Sequence, residues 1–546
     1  MMSVGPITED ALPSLLDALM AWADRHGEET LAWMLSCRLA TLNHTWLQHV
    51  RTWRGMLTTL DLSCGSISSE SVQEVARRCP RLDCLLLSRR SEMEIPSVAA
   101  SARLVWTCGS KYLDQWACQQ VSLESMKALA MGCTRLRSLD LSMCTQMTGE
   151  GVWHLMQHCS LLVNLDLSYC INAIDATALT ALAESTCAAQ LEAIDLTHTG
   201  PRSGNYDRID ELMSSKVSDL TQACPALRHF RLADNPWVSS DALAAIASGA
   251  ECGPHLETLD VFGCFFLQED RLIEVFGRCP RIRNLHLGGF GSRPLNRMRG
   301  NLANGRVMRA VAAGCPHIQQ LHLMDALSNS CGDGESSHTT FSSALLELAN
   351  RLHDLDRIDL TAVRHMARDT VTQLLDLRGE RLTTLHLFDA SPVDDEILVQ
   401  IAQVCPNLRA LDVSGCYDVK DPGVLAVSLG CRALHTLSIN YCGPFRGETM
   451  CAVVGRLTKL RRLDAQCCCP DLVTQEGFSA LVSAILDGCP DFRVFDVGWP
   501  DCLGVPDVVH GQKGKMAHVE WPRRAGWMTL APYVSSWQHP IRLRVL

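Results

Sequence analysis

No run of about 18 apolar residues occurs in the 546-residue chain, so the sequence offers no membrane-crossing helix. A basic leader is missing too: Met1-Met-Ser-Val-Gly-Pro-Ile-Thr-Glu-Asp10 carries acids where a signal peptide has its positive region. Positive charge is in short supply overall. Forty-nine Lys and Arg stand against 60 Asp and Glu, a net charge of −11. Phosphate binding needs a basic stripe, so nucleic acid is not the expected partner. Mild acidity suits a basic segment of another protein, or solubility alone. Catalytic signatures are absent as well. There is no HExxH, no GxxxxGK[ST], no GxSxG and no GxGxxG opening a helix. The expectation is a non-catalytic protein with no cofactor.

Cysteine, by contrast, is abundant, at 27 residues in a chain that is 47% hydrophobic and 20% charged. A secreted disulfide scaffold would be short. Reduced cysteine behaves as a small buried hydrophobe, which suits a cytoplasmic or nuclear protein. Cys467-Cys-Cys-Pro470 invites a metal reading. Adjacent thiols cannot easily face one tetrahedral ion, and no second ligand pair lies nearby, so packing is expected and no metal. The 19 histidines form no local cluster.

The cysteines recur in phase with leucines. Cys133 precedes Leu136-Arg-Ser-Leu-Asp-Leu-Ser-Met-Cys144; Cys159 precedes Leu162-Val-Asn-Leu-Asp-Leu-Ser-Tyr-Cys170; Cys405 precedes Leu408-Arg-Ala-Leu-Asp-Val-Ser-Gly-Cys416. The central apolar residue of each frame falls at 60, 85, 139, 165, 194, 230, 259, 285, 321, 358, 385, 411, 437, 463 and 495. Five of the intervals are 26 residues. The 54-residue interval from 85 to 139 equals two periods, so a degenerate repeat is expected near Arg103-Leu-Val-Trp106, giving about 16 repeats. Between frames lie helical patterns such as Ser122 to Ala130, often closed by Cys-Pro as at Cys79-Pro80 and Cys279-Pro280. A chain this long exceeds a single core, and repetition is one way past that limit.

The frame L-x-x-L-x-L-x-x-C with its 26-residue period resembles the cysteine-containing leucine-rich repeats. The resemblance runs from Leu57 to Val497. It implies an α/β solenoid, a right-handed horseshoe with parallel concave strands and convex helices, over residues 55–497. Residues 498–546, with Trp499, Trp521, Trp527 and Trp537, read as a C-terminal cap.

Residues 1–54 read as three short helices, a small module or cap before the first repeat. Leu12-Pro13, Leu35-Ser-Cys37-Arg38 and Trp46 fall in the order found in an F-box, and this repeat subclass occurs mostly in F-box proteins. Ser14 and Leu15 depart from that pattern, since acids usually follow Leu-Pro there. The resemblance implies a substrate-recognition subunit of an SCF-type ubiquitin ligase. Leu12, Pro13, Leu16, Leu35, Cys37, Arg38 and Trp46 would meet a Skp1-type adaptor joined to a cullin, and the repeats would hold a protein substrate. The alternative is a binding scaffold or inhibitor without adaptor. Ribonuclease-inhibitor-like or GTPase-activating repeats run longer, and the 26-residue spacing disfavours them.

In L-x-L the two leucines point inward, so the residue between them should face the groove. That position reads Asp61, Leu86, Asp140, Asp166, Asp195, Arg231, Asp260, His286, His322, Asp359, His386, Asp412, Ser438, Asp464 and Asp496. His286, His322 and His386 break the Asp series, and Phe262, Met324 and Phe388 stand one groove step further along. These six are the candidate partner-binding residues, as exposed aromatics and Met anchor interfaces. Insertions at 198–208, 288–306 and 325–341 read as loops on one rim; the second carries Arg293, Arg297, Arg299 and Arg306.

Overall fold

The protein is represented by a computed structural model. It describes residues 59–61, 69–87 except 79, 121–199, 211–288 except 236 and 265, 305–324, 334–492 except 364, 365, 391, 470 and 472–474, and the short strands at 494–496, 520–522, 527–529 and 542–544. The described residues fall into two compact units, one ending at Ile282 and the other starting at Arg283. The residues expected to meet an adaptor, Leu12 to Trp46, lie outside the described residues.

The first unit carries strands β1 Thr59–Asp61, β2 Cys84–Leu86, β3 Ser138–Asp140, β4 Asn164–Asp166, β5 Ala193–Asp195, β6 His229–Arg231 and β7 Thr258–Asp260, each parallel to the next. The second carries β8 Asn284–His286, β9 Gln320–His322, β10 Arg357–Asp359, β11 Thr384–His386, β12 Ala410–Asp412, β13 Thr436–Ser438, β14 Arg462–Asp464 and β15 Val494–Asp496, again parallel in sequence order. Every repeat marker from Leu60 to Phe495 is the middle residue of its strand. In the tail, β16 Glu520–Pro522 pairs with β17 Trp527–Thr529, and β18 Arg542–Arg544 runs antiparallel to β15. The chain is an α/β solenoid of leucine-rich repeats.

One expectation is overturned. Leu85 pairs directly with Leu139, and the Leu87 N–H donates to Asp140 O at 3.0 Å. A strand at Arg103–Trp106 therefore has no place between β2 and β3; residues 88–120 themselves lie outside the described residues. The 325–341 insertion also departs from a loop, because helix Gly334–Arg351 begins inside it. Phe341, Ala344, Leu345 and Leu348 are buried at helical spacing, and that apolar stripe draws the helix back toward Gly334.

Each repeat builds its helix from local chemistry. Asp394 caps helix Asp395–Val404, accepting from the N–H groups of Glu396 and Ile397 at 3.1 Å. Asp395 in the first turn reaches the next repeat, accepting from Lys420 N and Gly423 N at 2.8 and 3.1 Å. Ile397, Leu398 and Ile401 face inward, and neighbouring helices pack side by side. The frame leucines, such as Leu136, Leu139 and Leu141, are at most 1% exposed. Each contributes roughly 1.5–3 kcal/mol of burial.

The cysteines do more than fill space. All twenty described cysteines are free thiols. Cys170 Sγ donates to Leu141 O at 3.0 Å, Cys264 to Leu232 O at 3.2 Å, Cys416 to Leu387 O at 3.2 Å and Cys442 to Val413 O at 3.0 Å. Each thiol thus bonds the carbonyl just past the strand of the repeat before it. Burial pushes the thiols up, those of Cys159, Cys315, Cys405 and Cys442 to about 12.

Ten described strand exits share one shape. Four residues past the marker the backbone turns left-handed, at Met143, Tyr169, His198, Asp234, Ala362, Asp389, Tyr441 and Cys467, and at Gly263 and Gly415. A non-glycine residue there costs about 1–2 kcal/mol. An inter-repeat hydrogen bond offsets the strain: Met143 N donates to Ser168 O at 2.8 Å, Asp389 N to Ser414 O at 2.8 Å and Tyr441 N to Gln466 O at 2.8 Å.

Candidate functional site

The aspartates between the frame leucines first serve their own strands. Asp140 Oδ1 accepts from Ser142 N at 2.8 Å, Asp166 from Ser168 N at 2.8 Å, Asp195 from Thr197 N at 2.9 Å and Asp412 from Ser414 N at 2.9 Å. This bond two residues on is an Asx turn, and it starts the strand exit. Histidine has no carboxylate to make it, so a His at this position is free for another role.

In the second unit the replacements flank one retained aspartate, Asp359. Parallel register aligns His286 with His322, His322 with Asp359, Asp359 with His386, and His386 with Asp412. The rings of His286 and His322 stack with centroids 4.0 Å apart. His322 Nδ1 lies 3.2 Å from Asp359 Oδ2, and His386 Nδ1 approaches the same oxygen from the other side at 3.5 Å. Asp359 Oδ1 accepts from Thr361 N at 2.9 Å. Further along, Asp464 accepts from Ser438 Oγ at 2.8 Å and from Arg462 Nε at 2.9 and 3.0 Å.

This column is closed to water at its centre, with Asp359 at 1% and His386 at 4% exposure. Burial alone would push the Asp359 carboxyl up; the His322 hydrogen bond and the two imidazoles beside it outweigh burial and hold Asp359 well below the usual carboxylate range. Burial pulls His386 down, but the Asp359 carboxylate beside it, and then Asp412, push it net upward. Asp412 is raised by burial, with His386 and Ser414 working against that. The His386 imidazolium therefore sits between two buried acids. The 3.5 Å contact is an ion pair and too long for a good hydrogen bond; neither ring nitrogen of His386 has a hydrogen-bond partner.

The six expected partner-binding residues thus divide. His286 and His322 are half-buried and engaged with each other; His386 is buried. Met324 is 6% exposed, which corrects the expectation of an open apolar anchor. Strands about 4.8 Å apart leave little room between like-facing side chains, so neighbours cover one another. Phe262 in the first unit and Phe388 in the second stay half-buried, each beside its own strand exit. No three His, Cys, Asp or Glu among the described residues are arranged to hold a metal ion. In the triple-cysteine run, Cys468 Sγ instead donates to Ala465 O at 3.1 Å.

Following only the markers and the residue after each misses a second feature. Two and four positions before the markers of β11 to β14 stand Arg381, Arg409, His435 and Lys459, lining a groove of about 940 Å³. The available signal was a basic residue two or four positions before each of these markers.

A leucine-rich-repeat family model matches residues 132–152 and 404–428. The chain is 25% identical over 279 residues to F-box protein MAX2 homolog A of Petunia hybrida, a match covering 48% of this chain and 38% of that protein. A second relative, putative F-box/LRR-repeat protein 9 of Arabidopsis thaliana, is 26% identical over 131 residues, 23% of this chain and 49% of that one. DNA repair protein rhp7 of Schizosaccharomyces pombe is 26% identical over 133 residues, covering 24% of this chain and 22% of its own. These matches span less than half the length of each relative. Among solved structures, the yeast Rad7 and Elc1 complex aligns over 80% of this chain and 94% of the matched one, with 14% identity and a TM-score of 0.46. The resemblance to F-box/leucine-rich-repeat proteins holds on both the repeat and its relatives.

Proposed function

We propose that this chain is the substrate-recognition subunit of an SCF-type ubiquitin ligase. Residues 1–54 would bind a Skp1-type adaptor, joined in turn to a cullin, and the repeats would hold the target protein. The reading is supported above all by the pairing of a register-locked repeat array with relatives named as F-box proteins. Leucines and thiols at fixed phases hold the repeats together, and the strand aspartates hold their own strand exits. Such a subunit performs no bond chemistry. It supplies proximity, which raises the effective concentration of target lysines near a conjugating enzyme.

Purified Skp1 tests the adaptor arm. The intact chain should retain it, and a chain lacking residues 1–54 should lose it while keeping the melting transition of the repeats. Failure of the intact chain to bind would leave the scaffold reading in its place. The target arm is proposed on the half-buried strand-exit aromatics, Phe262 in one unit and Phe388 in the other. For a target identified with the intact chain, Phe388→Ala should weaken capture at least tenfold with folding unchanged. Equal capture by that variant and by Phe262→Ala would move the target site off these strand faces.

A further inference from the structure

We infer that the strand-entry side of the second unit, from Arg381 to Arg461, is a docking groove for a short acidic segment of a partner protein. This rests on charge and geometry within that unit and not on the adaptor reading.

Two columns of side chains run along this side, and all of them but Arg461 line the groove. Two residues before the markers Leu385, Leu411, Leu437 and Leu463 stand Thr383, Arg409, His435 and Arg461. Four residues before the same markers stand Arg381, Asn407, Ala433 and Lys459. Parallel register places successive members one strand apart, about 4.8 Å. Small Ala433 leaves depth in the middle, and Asn407 is fixed by its Nδ2 donating to Glu380 O at 2.9 Å. Arg381, Arg409 and Lys459 stand around that depth, and they and Arg461 are all exposed. None of the four is in an ion pair with another described residue, whereas Arg228, Arg231 and Arg309 elsewhere each have an acid within reach.

Two neighbouring groups register the field. Burial, then Arg461, Arg409 and Lys459, push His435 down, so the imidazole is neutral and the cations around it are unanswered. Asp356, at the edge, is raised by burial while Arg357, Arg381 and Arg409 pull the other way. The two acids lining the groove, Asp356 and Glu380, are outnumbered by Arg381, Arg409 and Lys459. A chain of net charge −11 holds here a local reversal of sign.

The dimensions choose the occupant. Four strands span about 14 Å, the length of about four residues of extended peptide. Screening confines charge interactions to about 8–10 Å at physiological salt, so a four-residue acidic segment would feel the groove alone. A long polyanion would also meet the acidic remainder of the chain, and a basic segment would be repelled outright.

Fluorescein-labelled decaglutamate is the probe, with decalysine and a 12-nucleotide single-stranded DNA as comparisons, read by anisotropy on the full chain. Wild type should bind decaglutamate, more weakly as salt rises, and prefer it to both comparisons. The variant Arg381→Glu/Arg409→Glu/Lys459→Glu should lose at least tenfold in affinity. A control with the same charge change on exposed arginines of the first unit, Arg137→Glu/Arg278→Glu/Arg281→Glu, should lose less than threefold. Circular dichroism on both variants shows whether they are folded; if the groove triple is not, the single variants Arg409→Glu and Lys459→Glu replace it, each expected to lose at least threefold. No binding by wild type, equal loss in the control, or DNA binding as tight as decaglutamate would overturn the proposal.

Discussion

Replacing Asp359 by alanine is expected to destabilise the second unit by about 3–5 kcal/mol, the usual penalty for removing one partner of a buried ion pair. The carboxylate is 1% exposed, is hydrogen-bonded to His322 and the Thr361 N–H, and is paired by charge with His386. Alanine leaves the imidazoles of β9 and β11 facing an apolar gap and the Thr361 amide without its acceptor. Asp359→Asn keeps an oxygen for Thr361 and removes only the charge, so it should fall between the two. Urea midpoints of the three proteins measure the series, and a loss below about 1 kcal/mol for alanine would refute the assignment.

The same column gives a pH signature. Asp359 is held below its ordinary value, so its contribution is present above about pH 4 and fades only as pH falls through the folded value. His386 is raised, so its contribution is full below about pH 6.5 and fades as pH rises through the folded value. The gap between wild type and Asp359→Asn should therefore be widest between about pH 4 and 6.5 and narrow above it. A gap that stays constant from pH 5 to 9 contradicts the buried imidazolium.

The second large effect is steric. Gly430 ends the helix Asp421–Gly430, and a Cβ built there would lie 1.9 Å from Ala402 O and 2.5 Å from Ala402 C in the helix of the preceding repeat. Both are backbone atoms, so no rotamer relieves the clash. Gly430→Ala should cost about 1–3 kcal/mol as the helices are forced apart. Gly455, near the end of helix Gly447–Arg456, meets nothing within 4 Å. Gly455→Ala should therefore be neutral or stabilising by up to about 1 kcal/mol from helix propensity. Opposite signs for two glycines one repeat apart would separate close approach from propensity; equal effects would remove the packing argument.

The strands were legible because their signal is redundant: apolar residues in a fixed frame, a cysteine at each side, one period over hundreds of residues. The missed strand arrangement between Leu85 and Leu139 shows the limit, since counting periods cannot tell an extra repeat from an insertion. Aspartates such as Asp140 and Asp412 looked like groove charge and prove to bond their own strand exits. Left-handed turns were legible only at Gly263 and Gly415; Met143, Tyr169 and Asp389 adopt the same backbone because a neighbouring repeat holds them there. Tertiary context overrode residue preference. The basic groove escaped notice for a related reason: its cations are scattered in sequence and converge only when repeats stack.

The thiol ladder has a temporal side. Cys416 and Cys442 each close one joint between adjacent repeats, and burial keeps both thiols protonated and out of reach. A thiol reagent can touch such a sulfur only in the moments when its own joint parts. Each cysteine is thus a clock for one hinge of the array, and the order in which they are modified would read out where the solenoid breathes first.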